Sequence, residues 1–501
     1  MNRAYLSQAI NLIHPDYIIE AIEAESAPPD EKRSGANVRD GQREEAPSRK
    51  QKRPAKKRWM GAAAAVLAIA VLAGVFLRPG GTPAAYAIAE AKYPEMAPYP
   101  GEPHTDAAYD AWWEDIVAQR RDLGDVSPLQ SFFSRSAGTF LAGDEGRNRV
   151  YSPLNVYMAL AMLAQLTGGE SREQILTALG SESMDALRAQ ANDVWNSNYR
   201  DDGALTSVLA SSLWLNQNVK FNQNTMDTLS RDFYASSYRG EMGSEAFNEL
   251  LQGWLNEQTG GLLEEQAGNI ELKPETILAL AATVYFKGRW YNEFSKEDTT
   301  TETFHAPSGD VETDFMNQQE GQAYYRGGKF AAVSQRFEDS GAGSMWFLLP
   351  DEGITPEELL SDAEAMDFLF TADKNGWENK KYLIVNKSIP KFDVSAQFDL
   401  IDGLRALGIT NVFDPAASDF TPMTTDVNVP MFVSQANHAA RVVIDEEGCT
   451  AAAFTVTMVE DGGTPPDEEV DFVLNRPFIF CVTGISALPL FVGIVNHPAG
   501  E

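Results

Sequence analysis

The chain has 501 residues, 44% of them hydrophobic and 10% aromatic, so it can bury a large core and has length for more than one part. Its formal net charge of −32 argues against nucleic acid and heparin-like polyanions as partners of the main body. Two cysteines, Cys449 and Cys481, make no disulfide framework, and the five scattered histidines have no ligand spacing, so neither a metal nor a cofactor is expected.

In chain order, residues 1–58 hold 12 basic and 9 acidic residues, so the acidic excess lies beyond them. They read as a largely disordered cytoplasmic tail. Seven of the ten residues Arg49–Arg58 are basic, and Trp59–Leu77 then runs for 19 uncharged residues. As a helix that run spans about 28 Å, close to the hydrocarbon thickness of a bilayer. The basic block places the tail in the cytoplasm and everything after residue 78 outside, as expected of a single-pass signal anchor. The rival reading is secretion after cleavage near Ala87, on the Ala85-Tyr86-Ala87 pattern. It requires a leader of 58 residues before the apolar core, far longer than a signal peptide uses. Residues 78–124 read as an extracytoplasmic part: a Pro- and Gly-containing stalk over 79–105, then a helical prelude, "TDAAYDAWWEDIVAQRRDL".

The body, 125–501, opens on helical patterns such as "VYMALAMLAQL" (Val156–Leu166) and continues with strand patterns such as "LALAATVYFKGRW" (Leu278–Trp290) and "ARVVIDEEG" (Ala440–Gly448). Helices first and non-alternating strands later predict an α+β fold around a large mixed sheet. No Gly-x-Ser-x-Gly elbow, His-Glu-x-x-His, P-loop or dinucleotide fingerprint is present, so no enzymatic activity is expected. One stretch fits neither an ordinary strand nor a linker. "EEGCTAAAFTVT" (Glu446–Thr457) has too few large side chains for a buried strand and too little Gly and Ser for a flexible loop.

Four collinear segments carry a family resemblance: "RNRVYSPLNVYMALAMLAQLTGGESREQILTAL" (Arg147–Leu179), "TVYFKGRWYNEFSKEDTTTETFH" (Thr283–His305), "SIPKFDVSAQFDLIDGLRALGITNVFDPAASDFT" (Ser388–Thr421) and "NRPFIFCVTG" (Asn475–Gly484). They resemble serpins, over about residues 125–499. The resemblance implies three β-sheets, eight to nine helices and an exposed reactive-centre loop, acting as a monomer. It also implies suicide-type inhibition. A protease cleaves the loop, forms an acyl-enzyme, and is trapped as the loop inserts into the main sheet.

On this resemblance Glu446, Glu447, Gly448, Cys449, Thr450, Ala451, Ala452 and Ala453 match the hinge of the loop. In an inserted strand Cys449, Ala451, Ala453, Thr455 and Thr457 would face the core, and all are small. Ser152, Asn155 and His438 match the polar cluster beneath the opening sheet. Asn155 stands where the family has a second Ser, and Ala282 where it has an Asn. Counting from Glu446 as members do, and from the Pro-Pro in "TPP" (Thr464–Pro466), the scissile bond falls at Gly462–Gly463. The window around it is Met458, Val459, Glu460 and Asp461. Without Lys or Arg in Val456–Gly463, the expected partner is an elastase- or subtilisin-like serine protease in preference to a trypsin-like one, with papain-like cysteine proteases as a further class. The alternative is a non-inhibitory serpin acting as a binding or scaffold module.

Overall fold

The structure, a computed structural model, describes residues 85–101, 105–143, 146–337, 343–370, 374, 376–424, 426, 431–449 and 468–498. The tail 1–58 and the apolar run Trp59–Leu77 lie outside them. Among the described residues no helix is long and apolar enough to cross a membrane.

The first half alternates strands and helices: β1 (Ala85–Ala89), α1 (Asp106–Gln119), α2 (Ser127–Phe140), β2 (Arg149–Tyr151), α3 (Pro153–Leu166), α4 (Gly169–Leu179), α5 (Met184–Asn198), β3 (Arg200–Asp201), β4 (Leu205–Asn216), α6 (Gln223–Asp232), β5 (Ala235–Gly240), α7 (Glu245–Gln258) and α8 (Glu264–Gly268). Strands then dominate. They are β6 (Leu278–Arg289), β7 (Thr300–Ala306), β8 (Gly309–Arg326), β9 (Phe330–Arg336), β10 (Ser344–Pro350), and, after α9 (Pro356–Leu359) and α10 (Ala363–Phe370), β11 (Lys380–Pro390) and β12 (Phe392–Asp399). Last come α11 (Ile401–Ala406), β13 (Asn437–Ile444), β14 (Gly448–Cys449), β15 (Glu469–Val473), β16 (Phe478–Thr483) and β17 (Pro489–Val495).

The strands form two hydrogen-bonded networks rather than three separate sheets. The main sheet runs β1-β5-β4-β6-β14-β13-β12, and the second network runs β15-β11-β8-β9-β10-β16-β17-β2. The second network would divide into two sheets were it not for the length of β8. Its 18 residues pair with β11 along most of their course, and only Tyr325 and Arg326 reach β9.

α3 ties the layers together. Twelve of its fourteen residues are buried, as expected of a helix that is apolar on every side. It packs against β6 of the main sheet and β17 of the second network. Ser152 caps it, accepting the Asn155 N–H, and Pro153 at its first position costs no hydrogen bond. β16 and β17 are buried at every residue and lie beside β2 at one end of the second network.

Residues 85–101 correct the expectation of a stalk. β1 pairs antiparallel with β5, Tyr86 opposite Arg239 and Ala87 opposite Tyr238, and so covers the free edge of the main sheet. Beyond it the Ala91 N–H donates to Ser236 Oγ at 3.1 Å, and the Tyr93 ring lies 5.1 Å from Trp195 and 5.5 Å from Tyr199. The Tyr99 N–H donates to the Asp202 carbonyl at 2.7 Å. The prolines suit an extended path, but the aromatic residues between them fill sites on the body, and that burial outweighs the freedom of a stalk.

Candidate functional site: the hinge and the slot in the main sheet

β6 ends in Gly288-Arg289, and the chain turns at Trp290. β13 ends at Ile444, and the acidic turn Asp445-Glu446-Glu447 leads into β14. These two ends meet. Gly448 pairs with Arg289, and Cys449 lies between Gly288 on one side and Ile444 on the other. The glycine is required there, because a Cβ on residue 448 would stand 2.4 Å from the Gly288 carbonyl oxygen.

The acidic turn is held by backbone and charge together. Glu447 and Glu446 carbonyls accept from the Trp290 and Phe294 N–H groups at 3.1 and 3.0 Å, and the Asp445 carbonyl accepts from the Trp290 indole at 2.8 Å. The Glu446 carboxylate meets the Lys391 ammonium at 2.7 Å and accepts the Thr299 hydroxyl at 2.9 Å. Burial pushes the Glu446 carboxyl up, but these partners outweigh it and hold its pKa below the ordinary glutamate range. Lys296 pairs with Glu447 at the rim.

Below β14, among the described residues, the side of β6 that faces β13 carries no other strand. A cavity of about 230 Å³ borders both strands there, with Leu160, Leu251, Leu280 and Phe420 in its wall beside Asn155 and His438. At its head sits the polar cluster, built on the first turn of α3. The Ser152 N–H donates to His438 Nε2 at 3.2 Å, and Ser152 Oγ donates to the Leu490 carbonyl on β17 at 2.6 Å. The Asn155 side-chain amide donates to the Ala282 carbonyl on β6 at 3.0 Å. His438 is enclosed by Tyr151 and Phe398, and burial pushes its pKa down to about 4, so it is neutral at pH 7.

The structure therefore brings together Glu446, Glu447, Gly448 and Cys449 at one end of the slot, and Ser152, Asn155 and His438 further along it. Thr450, Ala451, Ala452, Ala453 and the scissile window Met458–Gly463 lie outside the described residues. Cys449 and Cys481 are both buried and neither is in a disulfide. Sequence reasoning assigned no role to Lys391, Thr299 or Trp290, the groups that hold the hinge turn. Lys391 did leave a signal, a lone charge inside Ile389-Pro390-Lys391-Phe392, where a buried partner is needed. Among the described residues no group of His, Cys, Asp and Glu could hold a metal ion.

Comparison with known proteins gives a consistent picture. A family model described as serpin (serine protease inhibitor) matches residues 130–498. Serpin-ZX of Arabidopsis thaliana is 27% identical over 368 residues, which is 71% of this chain and 93% of that protein. An alpha-1-antitrypsin-like protein of Tamias sibiricus is 28% identical over 384 residues, 75% of this chain and 89% of its own. Among solved structures, the thermophilic serpin tengpin in its native state superposes with a TM-score of 0.66 at 22% identity, covering 75% of this chain and 96% of that one. Arabidopsis AtSerpin1 in its native stressed conformation gives 0.63 at 25%, covering 75% and 99%.

Proposed function

The chain belongs to the serpin family, and from that premise we propose that it is a membrane-anchored, extracytoplasmic inhibitor that traps serine proteases by loop insertion. One observation carries the reading: Gly448 and Cys449 already lie between β6 and β13, at the head of a slot that no other described strand fills. Continuing that register residue by residue sets Ala451, Ala453 and Thr455 opposite Val442, Ala440 and His438, all buried. Small inward residues meet a close-packed floor there without overpacking or burying a charge.

The anchor rests on the sequence, on Trp59–Leu77 behind its basic block. Cleavage near Ala87, the secreted alternative, would remove the first three residues of β1, which favours an uncleaved chain. The bond offered to the protease is Gly462–Gly463, and an elastase- or subtilisin-like enzyme fits a loop without Lys or Arg.

The detergent-solubilised full chain is mixed with trypsin-, elastase- and subtilisin-like proteases. An SDS-resistant complex is expected with the latter two, releasing a C-terminal fragment that mass spectrometry places after a cut within Met458–Gly463. Simple cleavage with no complex would instead support a non-inhibitory binding module. Protease added to intact cells should degrade the body and spare residues 1–58.

A further inference from the structure

We propose that Lys387 is a positioning residue for protease trapping, its buried ammonium bracing the loop 291–294 that holds the hinge turn; this rests on the inhibitory reading above. Leu383, Val385 and Ile389 fill the buried face of β11 with apolar side chains, and Lys387 takes the remaining place between them. An ammonium enclosed in this way is costly unless it is paired and hydrogen-bonded, so its partners say what it is for.

Its Nζ meets the Glu320 carboxylate of β8 at 2.8 Å, donates to the Gln335 side-chain carbonyl of β9, and lies 5.7 Å over the Phe294 ring. Burial pushes its pKa down, and Glu320 opposes that shift. Each partner belongs to loop 291–294 or holds it. The second Glu320 oxygen accepts the Asn292 side-chain amide at 2.7 Å, and the Gln335 amide donates to the Asn292 carbonyl at 2.8 Å. Gln318, opposite Lys387 in the ladder, donates to the Asn292 and Glu293 carbonyls at 3.3 Å each. The loop in turn holds the hinge, with the Phe294 and Trp290 N–H groups donating to the Glu446 and Glu447 carbonyls at 3.0 and 3.1 Å.

The charge sets the direction of these bonds. An ammonium only donates, so it keeps the carbonyl end of Gln335 toward itself and turns the amide end to Asn292. It engages one oxygen of Glu320 and leaves the other for the Asn292 amide. A methionine at 387 would fill the same space and release both side chains to turn away. The backbone of Lys387 lies opposite Phe472, within the parallel ladder that runs from Ile384 opposite Glu469 to Ser388 opposite Val473. The departure of the reactive-centre loop at 446–449 and its return at 469–473 are therefore both referred to this one residue. A seated hinge lets insertion start as soon as the loop is cut. A hinge turn without its brace starts later, and the acyl-enzyme has more time to hydrolyse.

The test compares full-length wild type, K387M, E320Q/K387M and K381M, the last removing an exposed lysine of the same strand that pairs with Glu468. Subtilisin and pancreatic elastase serve as probe proteases. The readouts are the rate of loop cleavage, the ratio of cleaved inhibitor to SDS-stable complex, and amide hydrogen exchange. K387M and E320Q/K387M are expected to raise the ratio about fivefold, with the cleavage rate within about twofold of wild type. Exchange should quicken about tenfold at 290–294 and 445–449 and stay unchanged in β16 and β17. K381M should match wild type in all three. E320Q/K387M removes both charges, so an effect it shares with K387M does not come from a carboxylate left unpaired. Exchange that quickens in β16 and β17 as well marks an ordinary core residue, and that result overturns the positioning role. A wild type that forms no SDS-stable complex with either protease removes the inhibitory reading and the positioning role with it. A wild type that forms one, with K387M at the same ratio, removes the positioning role alone.

Discussion

His438 and Glu446 sit at two points along one slot, and burial acts on them with different results. His438 has its folded pKa at about 4 against an ordinary value of about 6.5, so the unfolded chain binds a proton that the folded chain refuses. Its contribution to stability is complete above pH 6.5 and falls away as pH drops toward 4, by about 3 kcal/mol in all. Denaturant midpoints measured from pH 7 to pH 5 should therefore decline in the wild type, and His438→Gln should flatten that decline. For Glu446 the folded pKa is lowered, so its stabilisation is present above the ordinary glutamate range and is lost as pH falls through the folded value. Glu446→Gln removes the Lys391 pair and should cost about 1.5–3 kcal/mol at pH 7, the range for hydrogen bonds to charged groups. As pH falls through that folded value the variant and the wild type should converge, and denaturant midpoints followed from pH 7 into acid read both effects.

Two elements have separable duties. On the proposed inhibitory reading, the hinge is admitted between β6 and β13 and its inward residues are then tolerated there. Ala451→Arg or Ala453→Glu should turn inhibitor into substrate, because each would bury a charge against Val442 or Ala440. The measurement is the ratio of cleaved inhibitor to SDS-stable complex, and unchanged stoichiometry would mean that these residues face the other way. At the end of the same sheet β1 covers the β5 edge, and the helix α1 follows it in the chain. Trp112, 1% exposed, donates its indole N–H to Asp202 at 3.0 Å, and Asp202 in turn pairs with buried Arg200 at 2.6 Å. Trp112→Ala should cost about 3–5 kcal/mol locally and open residues 85–119 to limited proteolysis while the rest of the body stays protected.

At the scale of the molecule, the main sheet has between β6 and β13 a slot that no other described strand fills, with Gly448 and Cys449 engaged at its end. Filling it adds two ladders of hydrogen bonds and closes the cavity beside Asn155 and His438. The chain cleaved in its loop should therefore survive heating that unfolds the intact chain, by scanning calorimetry on each form. Equal melting temperatures would mean that no insertion takes place.

Part of this was legible from residues alone. The α+β class follows from helical and strand periodicities, which are local, whereas the hinge Glu446–Cys449 and the trio Ser152, Asn155 and His438 were implied by the family resemblance of collinear motifs, and the structure sets these residues along one slot. Asn155 and Ala282 could be read as departures, but not as a donor and an acceptor. That relation depends on a helix turn and a strand edge 127 residues apart coming within 3.0 Å. The segment 85–101 read as a stalk because proline content is a local signal, whereas its fate depended on Trp195, Tyr199 and Asp202, which only folding brings within reach. The hinge turn is the same case: Lys391 and Thr299 are ordinary residues until the ends of β6 and β13 meet. What the sequence determined by itself was which side chains each position can accept, since size, charge and capping act locally. The tertiary structure decided which distant groups satisfy them, because hydrogen bonds and ion pairs exist only at distances that folding alone creates.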